Sequence, residues 1–329
     1  MQRQLGRTGI QISAMGLGCW AIGGVLWEGN DAVGWGEVDD RDSIAALRRG
    51  IEMGITFIDT ADNYGAGHSE RVVGEAVRGL REKVVISTKF GNTFDEATKQ
   101  MKGGNATSEY ALKACEASLK RLGTDYIDLY LFHLNDCEPS KAPQIMEVLE
   151  SLVQKGKIRC YGWSTDHPDR AQVFAQGEHC AAIEHDENIF VDNGPMLELC
   201  RRHGLASVNR APLAMGLLTG KYSTARPIDD KDVRGSRSPA WMRYFQKGAP
   251  SAPFLKKLES IREIITSNGR SVAQGSLAWI WARSHSTIPI PGFRNEKQVI
   301  ENVRAMELGP LEQAQMTEIE GILASLRPS

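Results

Sequence analysis

Four side chains able to accept or donate protons stand at or near the ends of three apolar runs. Asp59 ends the run ITFID, and Tyr64 follows five residues later. Lys89 lies near the end of KVVISTKF, and His133 ends IDLYLFH. A charge inside an apolar run is costly unless it is paired, so Asp59 and Lys89 are natural partners. Any one of these residues could be structural, since Asp59 with Thr60 could cap a helix, but the four together indicate proton-transfer chemistry.

Eight short apolar runs alternate with helical patterns along the chain. The predicted strands are residues 13–18, 55–59, 83–90, 127–133, 157–164, 180–184, 205–210 and 286–291. The predicted helices are residues 41–53, 69–79, 109–122, 142–155, 167–175, 195–203, 254–267 and 271–283. Such alternation is typical of parallel strands joined by right-handed crossovers. Eight units favour a closed α/β barrel, the (β/α)8 TIM barrel, over an open sheet.

This barrel would gather the four proton-sharing residues on one rim, because active sites lie where the carboxyl ends of barrel strands meet. We interpret residues 1–329 as a single domain with two additions. An N-terminal hairpin turning at residues 7–9 is expected to cover the opposite end of the barrel. Residues 222–252, after the seventh strand, form a loop whose length is usually associated with function.

Composition excludes several classes of protein. The 329 residues are 41% hydrophobic and 24% charged, with a net charge of −2 and no long basic run, so nucleic acid is not an expected partner. The uncharged stretch AMGLGCWAIGGVLW is too short and too rich in glycine for a membrane span. We find no leader or lipidation motif. The six cysteines form no CxxC pair and the histidines no HExxH, so we expect reduced thiols, a cytoplasmic location and no metal site.

Five segments resemble, in order, motifs of the aldo-keto reductase family. They are FIDTADNYGAGHSE, ISTKF, GTDYIDLYLFH, APLAMGLLTGKY and IPGFRNEKQVIEN. Within the family, the chain is most similar to bacterial reductases related to potassium-channel β subunits. The resemblance implies a barrel that binds NADPH or NADP+ at its mouth, with NADH as a weaker alternative, and that reduces aldehydes or ketones to alcohols reversibly. Consistent with this, the chain has no strand–GxGxxG–helix unit.

The resemblance also implies a role for each proton-sharing residue. Negative charge grows on the carbonyl oxygen as hydride adds to carbon, so that oxygen needs a proton. Tyr64 is the expected general acid, and Lys89 is expected to lower its pKa from about 10. Asp59 would keep Lys89 charged, and His133 would orient the carbonyl. An aromatic wall of the substrate pocket is expected from Trp20, Trp27 and Trp35.

Contacts with the dinucleotide are implied position by position. They are Trp20, Ser164, Thr165, Glu184, Arg210, Pro212, Leu213, Gly216, Leu218, Lys221, Gly292, Arg294, Gln298, Glu301 and Asn302. Ser164 and Thr165 match a Ser-Asn pair that holds the carboxamide, and segment 212–221 would present backbone N–H groups to the pyrophosphate. Arg294 would bind a 2′-phosphate in a bidentate manner, which favours NADP over NAD, although Glu296 weakens the positive field.

Two positions depart from the family pattern on neighbouring strands. Glu184 stands where the family usually has Gln, and Arg210 where most relatives have an aromatic residue that stacks on the nicotinamide. We expect these two side chains to form an ion pair beside the nicotinamide. The alternative is that each faces solvent independently at the rim.

The long loop is expected to be a mobile lid that orders over the pyrophosphate. It is polar, shows no strand or helix period, and carries Arg226, Arg234 and Arg237. Segments of this kind belong to the less stable parts of a fold.

The residues leave two other functions open besides the reduction of a small carbonyl substrate. The chain could be a regulatory or binding subunit that senses the cofactor and has weak reductase activity, although the intact set of four residues favours catalysis. A phosphate-binding isomerase or aldolase, with Lys89 as a Schiff-base lysine, is disfavoured by Tyr64 and by the IPGFRNEKQVIEN segment.

Overall fold

The computed structural model describes residues 1–222 and 228–326. Its strands are β1 (Gln2–Gln4), β2 (Gln11–Ser13), β3 (Gly16–Gly18), β4 (Trp27–Glu28), β5 (Asp31–Ala32), β6 (Phe57–Asp59), β7 (Val85–Phe90), β8 (Asn92–Asp95), β9 (Gln100–Gly104), β10 (Ile127–Phe132), β11 (Ile158–Ser164), β12 (Cys180–Asp186), β13 (Ala206–Arg210), β14 (Phe245–Gln246), β15 (Ala249–Pro250) and β16 (Thr287–Pro289). Its helices are α1 (Asp40–Glu52), α2 (His68–Ala76), α3 (Ser108–Leu122), α4 (Ala142–Gln154), α5 (Pro168–Phe174), α6 (Gly194–His203), α7 (Ala252–Ile265), α8 (Val272–Arg283), α9 (Glu296–Leu308) and α10 (Gln313–Ser325). Within these residues, no helix is both long and apolar enough to cross a bilayer.

Eight parallel strands form the central sheet in the order β16-β13-β12-β11-β10-β7-β6-β3. Strands such as β7 and β10 are buried along their whole length, as expected when helices cover the outside and side chains fill the inside. Strand β3 closes the ring on β16, where the Gly18 N–H donates to Pro291 O at 3.1 Å. A Cβ at Gly18 would lie only 2.5 Å from Ile290 O, so this seam needs glycine. The predicted (β/α)8 barrel is confirmed.

The eight predicted helices are present, with ends shifted by at most three residues. Two further helices, α9 and α10, were not predicted. The segment of α9 carries ordinary helix signals, because the Asn295 side chain accepts from the Gln298 N–H at 3.1 Å and Gly309 follows the last turn. It had been interpreted only as a nucleotide-binding motif.

The predicted N-terminal hairpin is present and covers the amino-terminal end of the barrel. Strands β1 and β2 pair antiparallel. Leu5 and Ile12 are fully buried and pack with inward-facing side chains of the barrel such as Leu129. Arg7 donates to Cys180 O at 2.9 Å and Ala175 O at 3.1 Å. The barrel is therefore closed at this end and open at the mouth.

The described part of the long loop, residues 228–252, is here called the strap. It contains the short antiparallel pair β14 and β15, which corrects the expectation that the loop has no strands. The Val233 N–H donates to Gly34 O at 2.7 Å, and the Ala32 N–H donates to Arg237 O at 2.8 Å. The strap therefore packs on the segment that carries β4 and β5. Of the predicted lid residues, Arg226 lies outside the described residues.

Candidate active site

Lys89 is the centre of the proton-sharing cluster. Its fully buried side chain reaches the mouth from inside the barrel. Nζ lies 2.6 Å from Asp59 Oδ2, 2.9 Å from Thr60 O and 3.3 Å from Tyr64 Oη. The structure thus brings Asp59, Tyr64 and Lys89 together, and the arrangement can move a proton between the phenol and the ammonium group.

Tyr64 is positioned by a tight turn after β6. Gly65, the next residue, has φ of 59°, and a Cβ there would lie 1.7 Å from Gly23 O, so only glycine fits. The Tyr64 ring stacks on Trp20 with centroids 6.0 Å apart. Tyr64 remains half-buried while Lys89 beneath it is fully buried, so the phenol is the part of the cluster that a substrate can reach.

His133 lies on the other side of Tyr64. The two ring centroids are 6.1 Å apart and the planes nearly perpendicular, at 83°. Burial, together with the positive charges of Lys89 and Arg210, lowers the pKa of His133 well below its usual value. His133 is therefore a neutral imidazole near pH 7, able to donate a hydrogen bond to an oxygen in front of Tyr64.

Lys89 acts on the pKa of Tyr64 in the expected direction, but it does not set the net shift. Burial raises the pKa of Tyr64 above its usual value; Lys89 opposes this, but the carboxylates Asp59 and Glu184 add to it. Burial alone would lower the pKa of Lys89, yet those two carboxylates raise it. The chain thus holds a protonated phenol beside a protonated amine, which suits a proton donor.

Glu184 and Arg210 do not form the expected ion pair. Glu184 is fully buried, accepts from Ser164 Oγ at 3.0 Å and lies 3.3 Å from Lys89 Nζ. Arg210 instead forms ion pairs with Asp166 and, at 3.0 Å, with Asp186. The β12–β13 register explains the difference, because Asp186 is the residue opposite Arg210, whereas Glu184 lies one pleat deeper, opposite Val208.

The alternative for this pair, independent exposure at the rim, is also excluded by that geometry. Sequence reasoning missed the network around Arg210, which Arg243 completes through an ion pair with Asp186. An alternating pattern of acids, Glu184 and Asp186, was visible in the sequence. It indicates that both side chains point to the same face of the strand.

The expected carboxamide pair engages the protein itself. Ser164 Oγ bonds to Glu184, and Thr165 Oγ donates to Asn135 O at 3.0 Å. Both side chains are buried at the end of β11. Contact between these two residues and a nicotinamide remains a prediction.

The turn after β13 has the backbone expected of an anion site. Ala214, Met215 and Gly216 have consecutive φ values of 47°, 56° and 93°. Non-glycine residues rarely adopt such values, and they do so mainly at functional sites. Within this turn the Ala214 N–H donates to Ala211 O at 2.9 Å and the Gly216 N–H donates to Leu213 O at 2.8 Å, so contact between this turn and a pyrophosphate remains a prediction. The other implied residues here are Pro212, Leu213 and Leu218, which are buried, and Lys221, which is exposed.

The implied adenosine residues gather at the start of α9. The Arg294 guanidinium donates to the backbone carbonyl of Glu37. The Arg294 N–H donates to Gln298 Oε1 at 2.8 Å. Because the guanidinium bonds a neutral carbonyl here, its charge suits an added phosphate. The remaining members are Gly292, which is exposed, Glu301, which is half-buried, and Asn302, which is buried.

The aromatic wall differs in one member from the prediction. Trp20 and Trp35 contact each other edge to face, with centroids 5.4 Å apart. Trp27 packs under Arg237, whose guanidinium is 5.5 Å from the ring centroid. The ring centroid of Trp241, in the strap, lies 6.4 Å from that of Trp20, and Trp241 is 55% exposed. The sequence signal for it was an aromatic cluster, WMRYF, inside a polar loop.

Comparisons with known proteins agree with this geometry. Residues 14–324 match the model of the Aldo/keto reductase family. Aldo-keto reductase YhdN of Bacillus subtilis (strain 168) is 31% identical over 296 residues, which are 89% of this chain and 84% of that protein. The NADH-specific methylglyoxal reductase of Escherichia coli (strain K12) is 31% identical over 317 residues, 92% of this chain and 93% of that protein.

Solved structures share the whole architecture. The glycerol dehydrogenase AKR11B4 from Gluconobacter oxydans superposes with a TM-score of 0.81 at 27% identity, covering 100% of this chain and 96% of that chain. An aldo-keto reductase from Klebsiella pneumoniae in complex with NADPH gives a TM-score of 0.70 at 27% identity, covering 98% and 95% of the two chains.

Proposed function

The chain belongs to the aldo/keto reductase family and is an NAD(P)-dependent oxidoreductase, and we propose that it uses NADPH to reduce aldehydes or ketones to alcohols. The single observation that carries the proposal is the position of Lys89, whose Nζ contacts both Asp59 and the hydroxyl of Tyr64. We also propose that residues 1–329 form a single domain.

Tyr64 is the general acid of the proposed reaction, and it donates its phenolic proton to the carbonyl oxygen. The neutral imidazole of His133 donates a hydrogen bond to the same oxygen and so fixes its direction. Lys89 stabilises the phenolate that remains, and Asp59 holds Lys89 in place. The dinucleotide supplies the hydride when it is bound.

The dinucleotide fits the chain at two backbone features. The left-handed turn at Ala214–Gly216 would hold the pyrophosphate. The start of α9 and Arg294 would hold the adenosine end. The Klebsiella pneumoniae relative binds NADPH and the Escherichia coli relative is NADH-specific. Arg294 supports NADPH as the preferred cofactor here, with NADH as a weaker one.

We expect Tyr64→Phe to remove most of the carbonyl reduction while NADPH binding stays nearly intact. The phenol acts on a charge that develops only near the transition state, and general acids contribute about 10²–10⁴-fold. NADPH fluorescence measures binding on mixing, and its decay with a panel of aldehydes and ketones measures turnover.

Tyr130→Phe is the matched control. The Tyr130 hydroxyl is buried and has no hydrogen-bond partner within the described residues, so its loss should leave turnover unchanged. If Tyr64→Phe keeps more than about a tenth of the native rate of carbonyl reduction, Tyr64 is not the general acid. NADPH binding without turnover of any carbonyl by the native chain would support the cofactor-sensing function instead.

A further inference from the structure

Lys89 lies between two buried carboxylates, although one carboxylate is enough to balance the charge of its ammonium group. Nζ is 2.6 Å from Asp59 Oδ2 on one side and 3.3 Å from Glu184 Oε2 on the other. All three side chains are at most 2% exposed. Asp59 comes from β6, Lys89 from β7 and Glu184 from β12, so the barrel itself fixes the arrangement.

The elements packed around Glu184 bring few positive charges to it. Ser164 on β11 donates a neutral hydrogen bond at 3.0 Å. On β13, Arg210 lies close enough to interact with Glu184 electrostatically, but its ion pairs are with Asp166 and Asp186. Tyr64 contributes an uncharged hydroxyl. Lys89 is therefore the only cation that forms an ion pair with Glu184 within the described residues.

One ammonium group cannot compensate two carboxylates, so the cluster favours an additional bound proton. Burial and the charge of Glu184 raise the pKa of Asp59 to about 8, against the opposing effect of Lys89. Asp59 therefore keeps its proton up to a higher pH than an ordinary carboxyl group does.

We propose that Glu184 is a positioning residue that acts through Lys89 and biases the site toward donating the Tyr64 proton, which favours carbonyl reduction over alcohol oxidation. This inference rests on the proposed function and names the direction in which that site works. Oxidation requires Tyr64 to be a phenolate that accepts a proton. The phenolate oxygen of Tyr64 would lie 3.3 Å from Lys89 Nζ. The carboxylates of Asp59 and Glu184, which contact the same ammonium group, disfavour this additional negative charge.

The proton steps balance in the reductive direction. The Tyr64 O–H bond breaks as the new O–H bond forms on the product, while hydride comes from the reduced dinucleotide. The Tyr64 phenolate takes a proton from Lys89 Nζ, and the proton held by Asp59 returns to the amine. After the product leaves, one proton taken up from the solvent at the mouth replaces the proton that Asp59 gave up.

Glu184→Gln is the decisive variant, because it keeps the shape and removes the charge. We expect its alcohol-oxidation rate, measured at saturating cofactor across pH, to rise at lower pH than in the native chain. The ratio of oxidation to reduction near neutrality should increase about tenfold, which corresponds to one pH unit. Asp186→Asn is the matched control: it removes a carboxylate two residues further along β12 that pairs with Arg210 and Arg243, and it should not move the profile.

A second measurement does not depend on turnover. Tyrosinate absorbance of the ligand-free chain is titrated in the native and Glu184→Gln backgrounds, each with and without Tyr64→Phe, so that the differences isolate Tyr64. The phenol should ionise at lower pH in Glu184→Gln. Unchanged ionisation in that variant, or an equal shift in Asp186→Asn, would overturn the inference. If no carbonyl is reduced by any variant, the proposed function fails, and the titration still decides the role of Glu184.

Discussion

At the scale of single residues, we propose that Arg294 sets the preference for NADPH over NADH. In Arg294→Ala, NADPH binding should weaken by about 1.5–3 kcal/mol, because a charge-assisted contact with the 2′-phosphate is lost. NADH has no such phosphate, so its binding should hardly change. Fluorescence titration with both cofactors makes the comparison.

A second arginine of the same helix provides the control. Arg304 on α9 is exposed and several turns from the start of the helix, so Arg304→Ala should change neither affinity. Equal losses for NADPH and NADH in Arg294→Ala would show that the adenosine end is held by other groups.

The sequence was informative about which residues meet, and less so about their ionisation. Asp59, Tyr64 and Lys89 could be placed together because Asp59 ends one strand, Tyr64 follows in the loop after it, and Lys89 lies near the end of the adjacent strand. The pKa of Tyr64 could not be predicted, because it depends first on burial in the folded barrel and also on charges such as that of Glu184, which is remote in sequence. The partner of Glu184 depends on the β12–β13 register, and side-chain alternation alone does not fix a register between strands.

At the scale of elements, the strap is a structured part of the mouth. Arg234 forms an ion pair with Asp232 at 2.8 Å, donates to Met215 O at 3.2 Å and lies over the Trp35 ring at 4.5 Å. Arg234 and Asp232 are both buried. Through Met215, the same guanidinium also touches the left-handed turn proposed for the pyrophosphate.

Arg234→Ala should destabilise the strap by about 3–5 kcal/mol, since it leaves the Asp232 carboxylate buried without its partner. Urea unfolding measures the loss if the strap unfolds with the barrel, and limited proteolysis detects it if the strap opens alone. NADP+ should protect residues 228–252 of the native chain, which also tests the predicted lid. Cleavage that NADP+ does not slow would argue against the lid.

Arg237 is the control within the same strap. It is exposed, and its nearest carboxylate contact, with Asp230, is 3.7 Å long. Arg237→Ala should therefore alter stability by no more than about 0.5 kcal/mol. If Arg237→Ala loses as much stability as Arg234→Ala, positive charge anywhere on the strap contributes to stability, and the buried Arg234–Asp232 pair has no special role.

The eight barrel strands and the first eight helices were predicted, whereas α9, α10 and the short strands outside the barrel sheet were not. The strands of the mouth, such as β14 and β15, have two residues each and no period to detect. Strands β14 and β15 pair with each other because the chain reverses at the turn of Gly248, which has φ of 85°. Pairings of this kind are set by contacts that a local pattern does not contain.

At the scale of the whole molecule, we expect the hairpin end of the barrel to contribute to stability and the mouth to carry the proposed chemistry. Leu5 of the hairpin fills the closed end and is fully buried. Leu5→Ala should cost about 2–5 kcal/mol of unfolding free energy, because it leaves a cavity. The catalytic constants of the folded chain should stay unchanged, since the mouth is at the opposite end.

Thermal unfolding and steady-state kinetics below the transition give the two readings. Ile10→Ala is the control, because Ile10 is only half-buried at the same end and should cost less. A change in KM or kcat with Leu5→Ala at a temperature where the chain is folded would show that the two ends are coupled.

The seam at Gly18 has a consequence for how the chain reaches this structure. Strand β3 is the first strand of the barrel to be synthesised, yet one of its edges stays unpaired until β16 and the residues after it leave the ribosome. Contacts so distant along the chain form slowly, and an unpaired edge invites association with other chains in the meantime. Arg294 follows the last strand closely, so it reaches the Glu37 carbonyl only as the ring shuts. The proposed nucleotide end of the site is therefore among the last parts to assemble, and a truncated chain would lack it.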